Sequence, residues 1–349
     1  LKASGSSHLF GLCPNLPYYL LFPKSPAMFS SKTSKFAALG AAVLGSSALA
    51  FEFKQPEAEV TQCPGSLDVQ GVGQLSVLAT KKNMPWFRAA PVAVQDGKVV
   101  PEMWGRAYLA HQCTEGGSIS NNDYVAWELL GKTLTYTTDL SAAGCGCNVA
   151  FYLVSMKQNP EVSGCDDYYC DANSVCGIRC EEIDIQEANI RAWHSALHIA
   201  SDGGGVAQGL GGWVLGNEFE MTVQEYGPNG QCIDTLQPFQ VSVSFPVNEQ
   251  GNLIGMTMKL HQEGKPCTID YAMSDYYRDP NLETLTRALR EGMTPTMSYW
   301  KSTDMTWLDG DGLGSGMCQL HEEAASCGEG VSFWDLKVEN MADGSTFYP

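Results

Sequence analysis

Three stretches of the chain carry strand patterns. Leu134 to Thr138 is built of β-branched and aromatic residues, Val149 to Val154 is apolar without a break, and Phe239 to Phe245 alternates apolar with polar. Alternation with a period of two marks a strand that buries one face, and an unbroken short apolar run fits a strand covered on both. Leu253 to Leu260 alternates less cleanly, and Val331 to Val338 reads as a last strand. Between these runs lie turn signals: Asn121-Asn122-Asp123, Gly144-Cys145-Gly146, Gly203-Gly204-Gly205, Gly227-Pro228-Asn229-Gly230 and Asp309-Gly310-Asp311-Gly312. One helix is predicted over Leu282 to Arg290, with Asn281 as its N-cap and Gly292 past its end. Many short strands joined by glycine-rich turns predict an all-β fold, a sandwich or jelly roll with few helices.

Composition adds a compartment. Lys32 and Lys35, the apolar run Phe36 to Leu44 and the small-residue site Ala48-Leu49-Ala50 have the layout of a secretory signal over 28–50. Residues 1–27 precede Met28 and read as an upstream extension, leaving 51–349 as a single domain. The apolar run is too short to span a bilayer. The whole chain carries a net charge of −18, and residues 1–50 hold lysines but no acid, so the remainder is more acidic still. Such a field disfavours nucleic acid and anionic membranes and is compatible with a neutral ligand such as a glycan. Of 13 cysteines, Cys13 falls in the excluded segment. The even remainder behind a secretory leader predicts disulfides. The run Cys165, Cys170, Cys176, Cys180 could also be read as a zinc cluster, but its spacing lacks a pair of short knuckles. No metal or cofactor is expected.

The chemistry concentrates in Cys180-Glu181-Glu182-Ile183-Asp184-Ile185-Gln186-Glu187-Ala188-Asn189. Alternation puts Glu182 and Asp184 on one strand face and Ile183 and Ile185 on the other. A regular strand would point Glu187 away; one extra residue, a β-bulge between Asp184 and Glu187, returns all three carboxylates to one face. Like charges in a row raise at least one proton affinity, which an acid catalyst needs. Retaining glycoside hydrolysis requires two carboxyls roughly 5–5.5 Å apart. In that reading Glu182 is the nucleophile, Glu187 the general acid/base, and Asp184 tunes Glu182. A solvated acidic strand or a calcium site fits the spacing equally well.

The stretch resembles the active-site strand of glycoside hydrolase family seven, the cellobiohydrolase and endoglucanase type of cellulase, in which Glu-x-Asp-x-x-Glu-Ala-Asn follows a cysteine. The shorter Glu-x-Asp-x-x-Glu is shared with family sixteen, so the likeness rests on further collinear blocks. These are Leu129-Leu130-Gly131; Cys145-Gly146-Cys147-Asn148 with Phe151 to Met156; Tyr169-Cys170-Asp171-Ala172; Tyr226-Gly227-Pro228; Ile233-Asp234-Thr235; and Gly292-Met293 with Met297 to Trp300 and Trp307-Leu308-Asp309. The resemblance implies a concanavalin-like jelly roll of two curved antiparallel sheets with long loops. It also implies that Asn148, Tyr152, Asp171 and His198 line the cleft. Trp300 and Trp307 would stack on sugar rings, as would Trp104 deeper in the cleft. From the residues alone these tryptophans could also be core aromatics, though the neighbours Lys301, Asp304 and Asp309 favour partial exposure of Trp300 and Trp307, and His194 reads as structural or exposed rather than catalytic. Bridges Cys145–Cys318 and Cys170–Cys180 are implied, with the other pairings open. The implied activity is endo-acting hydrolysis of β-1,4-glucan, by a secreted or wall-associated monomer. Two alternatives stand beside it: hydrolysis of a β-1,3 or mixed-linkage glucan, and a non-catalytic glycan-binding wall protein.

Two departures from the family bear on substrate. The segments between Trp104 and Gly131 and between Cys170 and Glu182 are short, which implies a more open cleft than in the tunnel-type enzymes. Two product-site arginines are replaced by Val214 and Ser315.

Overall fold

The computed structural model describes residues 58–80, 92–212, 221–303, 305–310, 318 and 327–341. The signal and extension expected over 1–50, and positions Val214 and Ser315, lie outside the described residues.

The predicted strand runs all form strands, at Lys132–Asp139, Cys147–Val154, Phe239–Ser244, Met256–His261 and Ser332–Asn340. Among the described residues they belong to two antiparallel sheets, beside which Tyr226–Gly227 and Ile233–Asp234 form a short parallel pair. The larger, nine-stranded sheet runs in the order Val206–Leu210, Trp193–His198, Glu182–Ala188, Cys147–Val154, Thr294–Lys301, Arg106–Ala110, Gly73–Thr80, Ala58–Val69, Ser118–Ile119. The seven-stranded sheet runs Ile269–Met273, Met256–His261, Phe239–Ser244, Lys132–Asp139, Ser332–Asn340, Lys98–Pro101, Val92–Gln95.

The main core lies between the sheets. Tyr136 of the smaller sheet stacks on Phe151 of the larger, with ring centroids 4.3 Å apart, and Phe333 meets both edge-on. Such ring pairs add about 0.5–1.5 kcal/mol to the area they bury. Cys147–Val154 is buried at every position. Its odd-numbered residues Val149, Phe151 and Leu153 enter this core. Ala150, Tyr152 and Val154 enter a second cluster on the outer face of the larger sheet, with Tyr108, Tyr124, Tyr168 and Tyr169. The second cluster forms because residues 156–181 fold back over that face, braced by Cys165–Cys176 and Cys170–Cys180. This double burial is why the strand reads as an unbroken apolar run.

The helix spans Glu283–Glu291 and ends at Gly292, whose φ of 94° suits glycine. Asn281 is not its cap. It sits in a preceding turn at φ 59°, and the carboxylate of Asp279 accepts the N–H groups of Thr284 and Leu285 at 2.9 and 3.0 Å. The cap therefore acts from two residues farther upstream than the spacing suggested.

Candidate active site

The strand Glu182–Ala188 lies between Cys147–Val154 and Trp193–His198. Phe151 and Tyr152 are consecutive, yet their partners are Gln186 and Asp184; on the other side His194 and Ala196 face Glu187 and Asp184. The acidic strand thus carries one extra residue, a bulge at Ile185–Gln186. Ile183 and Ile185 enter the main core. Gln186 turns the same way, where its amide accepts the Tyr136 hydroxyl at 3.1 Å and donates to the Val149 carbonyl at 3.1 Å. Two successive inward side chains leave Glu182, Asp184 and Glu187 together on the outer face. The buried Gln186 amide keeps its hydrogen bonds, without which this kink would be costly.

Each acid has its own partner. Glu182 Oε2 accepts the Ala172 N–H at 3.0 Å. Asp184 Oδ2 lies 3.1 Å from His198 Nε2. Glu187 Oε1 accepts the Asn148 amide at 2.9 Å, and the same Asn148 accepts the Ala188 N–H at 3.1 Å. Glu182 and Asp184 are 7% and 5% exposed, whereas Glu187 is only half-buried and so is the most accessible of the three. Asp171 is buried, accepts the Val175 N–H at 2.9 Å and adds its charge to the field on Glu182 and Asp184. The Tyr152 hydroxyl donates to that of Tyr169 at 3.2 Å. The structure thus gathers Asn148, Tyr152, Asp171 and His198 around the three acids.

Trp300 stands opposite Asn148 in register on the next strand. Its ring stacks with that of Trp307, centroids 6.2 Å apart and planes 25° apart, and both are half-buried. Trp307 is held beside the acidic strand by Asp309, which accepts the Asn189 amide and the Gly146 N–H, both at 2.6 Å. His194 packs edge-on to Trp307 and donates Nε2–H to the Gly211 carbonyl at 2.9 Å; burial pulls it down to about 4, so it is a neutral structural ring. Trp104 lies farther off, toward Arg106–Ala110, its main-chain N–H donating to the Tyr299 carbonyl at 2.7 Å.

Burial sets the proton affinities. Glu187 is pushed up to about 8 by desolvation first and the Asp184 charge second, against the Asn148 hydrogen bond. Asp184 is likewise pushed up to about 8, by desolvation and then by Asp171. Glu182 is raised by burial and by Asp184, while His198 and the Ala172 N–H oppose this. Buried carboxyls so close cannot all be charged, so the cluster holds protons at neutral pH. The linkage has a definite sign. Groups raised from ordinary values of 4.5 and 3.8 to about 8 bind more protons folded than unfolded across that interval. Their stabilisation is complete below about pH 4 and is lost as pH rises toward about 8, by up to about 1.4 kcal/mol per pH unit per group. Calorimetry should find Tm falling by several degrees between about pH 5 and about pH 8, and falling less steeply in Glu187→Gln. Equal slopes in both proteins would remove Glu187 from the cause.

No protein-family model matches this chain. Sequence relatives are nonetheless clear. An endoglucanase EG-1 of Hypocrea jecorina is 30% identical over 234 residues, covering 56% of this chain and 49% of that protein. An endoglucanase EG-1 of Humicola insolens is 26% identical over 340 residues, covering 80% and 72%. The chain spans about half the length of the Hypocrea relative. Among solved structures, an endoglucanase I complexed with cellobiose superposes with a TM-score of 0.60 at 18% identity, over 84% of this chain and 100% of that one. A GH7 family cellobiohydrolase from Daphnia pulex gives 0.58 at 16%, over 82% and 98%. The chain is thus similar in sequence to fungal endoglucanases and shares its fold with a GH7 family cellobiohydrolase. Its jelly roll, expected from the strand pattern and the motif blocks, is the fold of these neighbours.

The structure also holds features that the sequence pattern did not reveal. Asp167 is fully buried, accepts the Tyr108 hydroxyl at 2.8 Å and pairs with Arg106 at 3.3 Å; the Arg106 guanidinium lies 3.6 Å from the centroid of the Tyr169 ring. The pair and its rings form the floor behind Tyr152. No spacing rule links Arg106 to Asp167. The doubled acids Asp166-Asp167 inside a cysteine cluster were the available signal. Cys145 pairs with Cys318 and Cys170 with Cys180. The pairings left open are Cys63–Cys113, Cys147–Cys327, Cys165–Cys176 and Cys232–Cys267. The four-cysteine run is consumed in two bridges, so its sulfurs are not zinc thiolates.

Proposed function

We propose that this chain is a retaining, endo-acting hydrolase of β-1,4-glucan. One observation carries the reading: the bulge sets three carboxyls on one face, each with a different partner. Glu187, accessible and held by Asn148, keeps its proton toward neutral pH and can deliver it to the glycosidic oxygen. Glu182, fixed by the Ala172 N–H, can attack the anomeric carbon as the leaving group departs. Glu187, now ionised, then takes a proton from water, which releases the glycosyl–Glu182 ester with net retention. Asp184 and His198 tune Glu182, and the stacked Trp300 and Trp307 offer flat faces to sugar rings. The sequence relatives include endoglucanases and a probable endo-beta-1,4-glucanase, which supports the choice of an internally cut β-glucan. The six disulfides among the described residues fit an oxidising, extracellular setting. Among the described residues no helix is long and apolar enough to cross a membrane. We place the protein outside the cell, acting as a monomer on a polysaccharide.

The test incubates the protein with a soluble cellulose derivative, lichenan and laminarin. Reducing sugar from the cellulose derivative, with a rapid fall in viscosity, is the expected result. Cleavage of laminarin alone would move the substrate to β-1,3-glucan, and no release from any polymer would leave a binding protein. Proton NMR of the first anomer formed should find the β product; an α product removes Glu182 as nucleophile.

A further inference from the structure

His198 lies across the strand pair from Glu182, and both its ring nitrogens are engaged. Nε2 is 3.1 Å from Asp184 Oδ2 and Nδ1 is 3.3 Å from the main-chain carbonyl of Asp202. A carbonyl oxygen only accepts, so Nδ1 carries a hydrogen. A neutral ring then meets Asp184 with a lone pair, and the contact needs a proton between Nε2 and Oδ2, on one or the other. The His198–Asp184 pair therefore carries no net charge. Were Nδ1 released from its carbonyl, the ring could instead offer Nε2–H to an ionised Asp184. The pair would then be negative beside Glu182.

What holds the Asp202 carbonyl comes from the other sheet. Residues 199–205 form a tight turn in which the Asp202 N–H donates to the Ile199 carbonyl at 2.9 Å. The hydroxyl of buried Tyr276, just past the strand Ile269–Met273, donates to Asp202 Oδ2 at 2.9 Å and accepts the Ile199 N–H at 3.2 Å. Arg278 Nε pairs with the same Oδ2 at 3.2 Å. Gly205 closes the turn at φ +58°; a Cβ there would stand 2.3 Å from His198 Nδ1, so the ring and the turn fit only each other.

We propose that Tyr276, acting through Asp202, is a positioning residue that fixes the His198 tautomer and so keeps the Asp184 pair neutral while Glu182 ionises. The inference rests on the functional reading above for its effect on rate, though not for the tautomer itself. The charged and titratable groups around the pair are Glu182 and Glu187 on the acidic strand, Asp171 from the disulfide-braced segment, and Asp202, Tyr276 and Arg278 at the turn.

Tyr276→Phe keeps the ring and removes both hydroxyl bonds. In histidine-labelled protein, nitrogen NMR should find His198 Nδ1 fully protonated, and a population with a bare Nδ1 in Tyr276→Phe. The acid limb of kcat/KM should move up by about one pH unit, with activity recovered at neutral pH and KM little changed. In a His198→Ala background, Tyr276→Phe should move the limb no further. A lowered Tm with an unchanged tautomer and limb, or an equal further shift without His198, would overturn the proposal. A wild-type protein silent on every glucan would sink the functional reading, and the tautomer spectrum would still decide this one.

Discussion

Glu182→Gln should lower kcat on the soluble cellulose derivative by at least about 10⁴-fold, a loss of the size seen when a covalent nucleophile is removed. The substitution keeps the shape of a side chain that is 7% exposed and touches the Ala172 N–H. It removes the charge that would form the covalent bond. Because it also removes a buried ionisable group, Tm should hold or rise, which separates lost chemistry from lost folding. Activated aryl β-glycosides should be equally inert, since a good leaving group does not replace a nucleophile. Retention of more than a tenth of the activity on either substrate would assign Glu182 another role.

Glu187→Gln should behave differently, and the contrast is the stronger evidence. General acid assistance contributes about 10²–10⁴-fold, and it matters in proportion to how poorly the leaving group departs alone. Glu187→Gln should therefore lose that factor in kcat on glucan polymer. On an aryl β-cellobioside with an acidic phenol the first step should survive, and breakdown of the covalent species should become limiting. Added azide, which needs no general base, should then restore turnover and yield a β-glycosyl azide. The Asn148 amide, 2.9 Å from the carboxylate, can also bond a glutamine, so the variant should fold as the parent does. No azide rescue, with activity lost alike on both substrates, would mean that Glu187 is not the acid/base.

The sheet strands were legible because their patterns have short causes. Phe239–Ser244 alternates since one face meets the core, and Cys147–Val154 is apolar throughout because two clusters cover it. The bulge was legible too: five positions from Glu182 to Glu187 put the two acids on one face only if the strand gains a residue. Other features were not legible, for reasons of distance along the chain. Asp167 meets Arg106 across 61 positions and Tyr276 meets Asp202 across 74, and no local period carries such a pairing. The helix cap was misread for a smaller reason. Asn281 has the right chemistry, but the turn at Pro280 puts it in left-handed backbone and leaves the capping to Asp279.

The kink at Ile185–Gln186 makes the acidic strand tolerant of replacement but intolerant of any change in its number of residues. Deleting either residue restores ordinary pleating and leaves Glu187 on its own side of the sheet, but draws it about one residue's rise closer to Glu182 and takes one inward side chain from the core, the amide bonded to Tyr136 when Gln186 is the one removed. Such a shortened protein would alter the separation of the two acids and its core packing at one stroke, so length here is guarded from two directions at once.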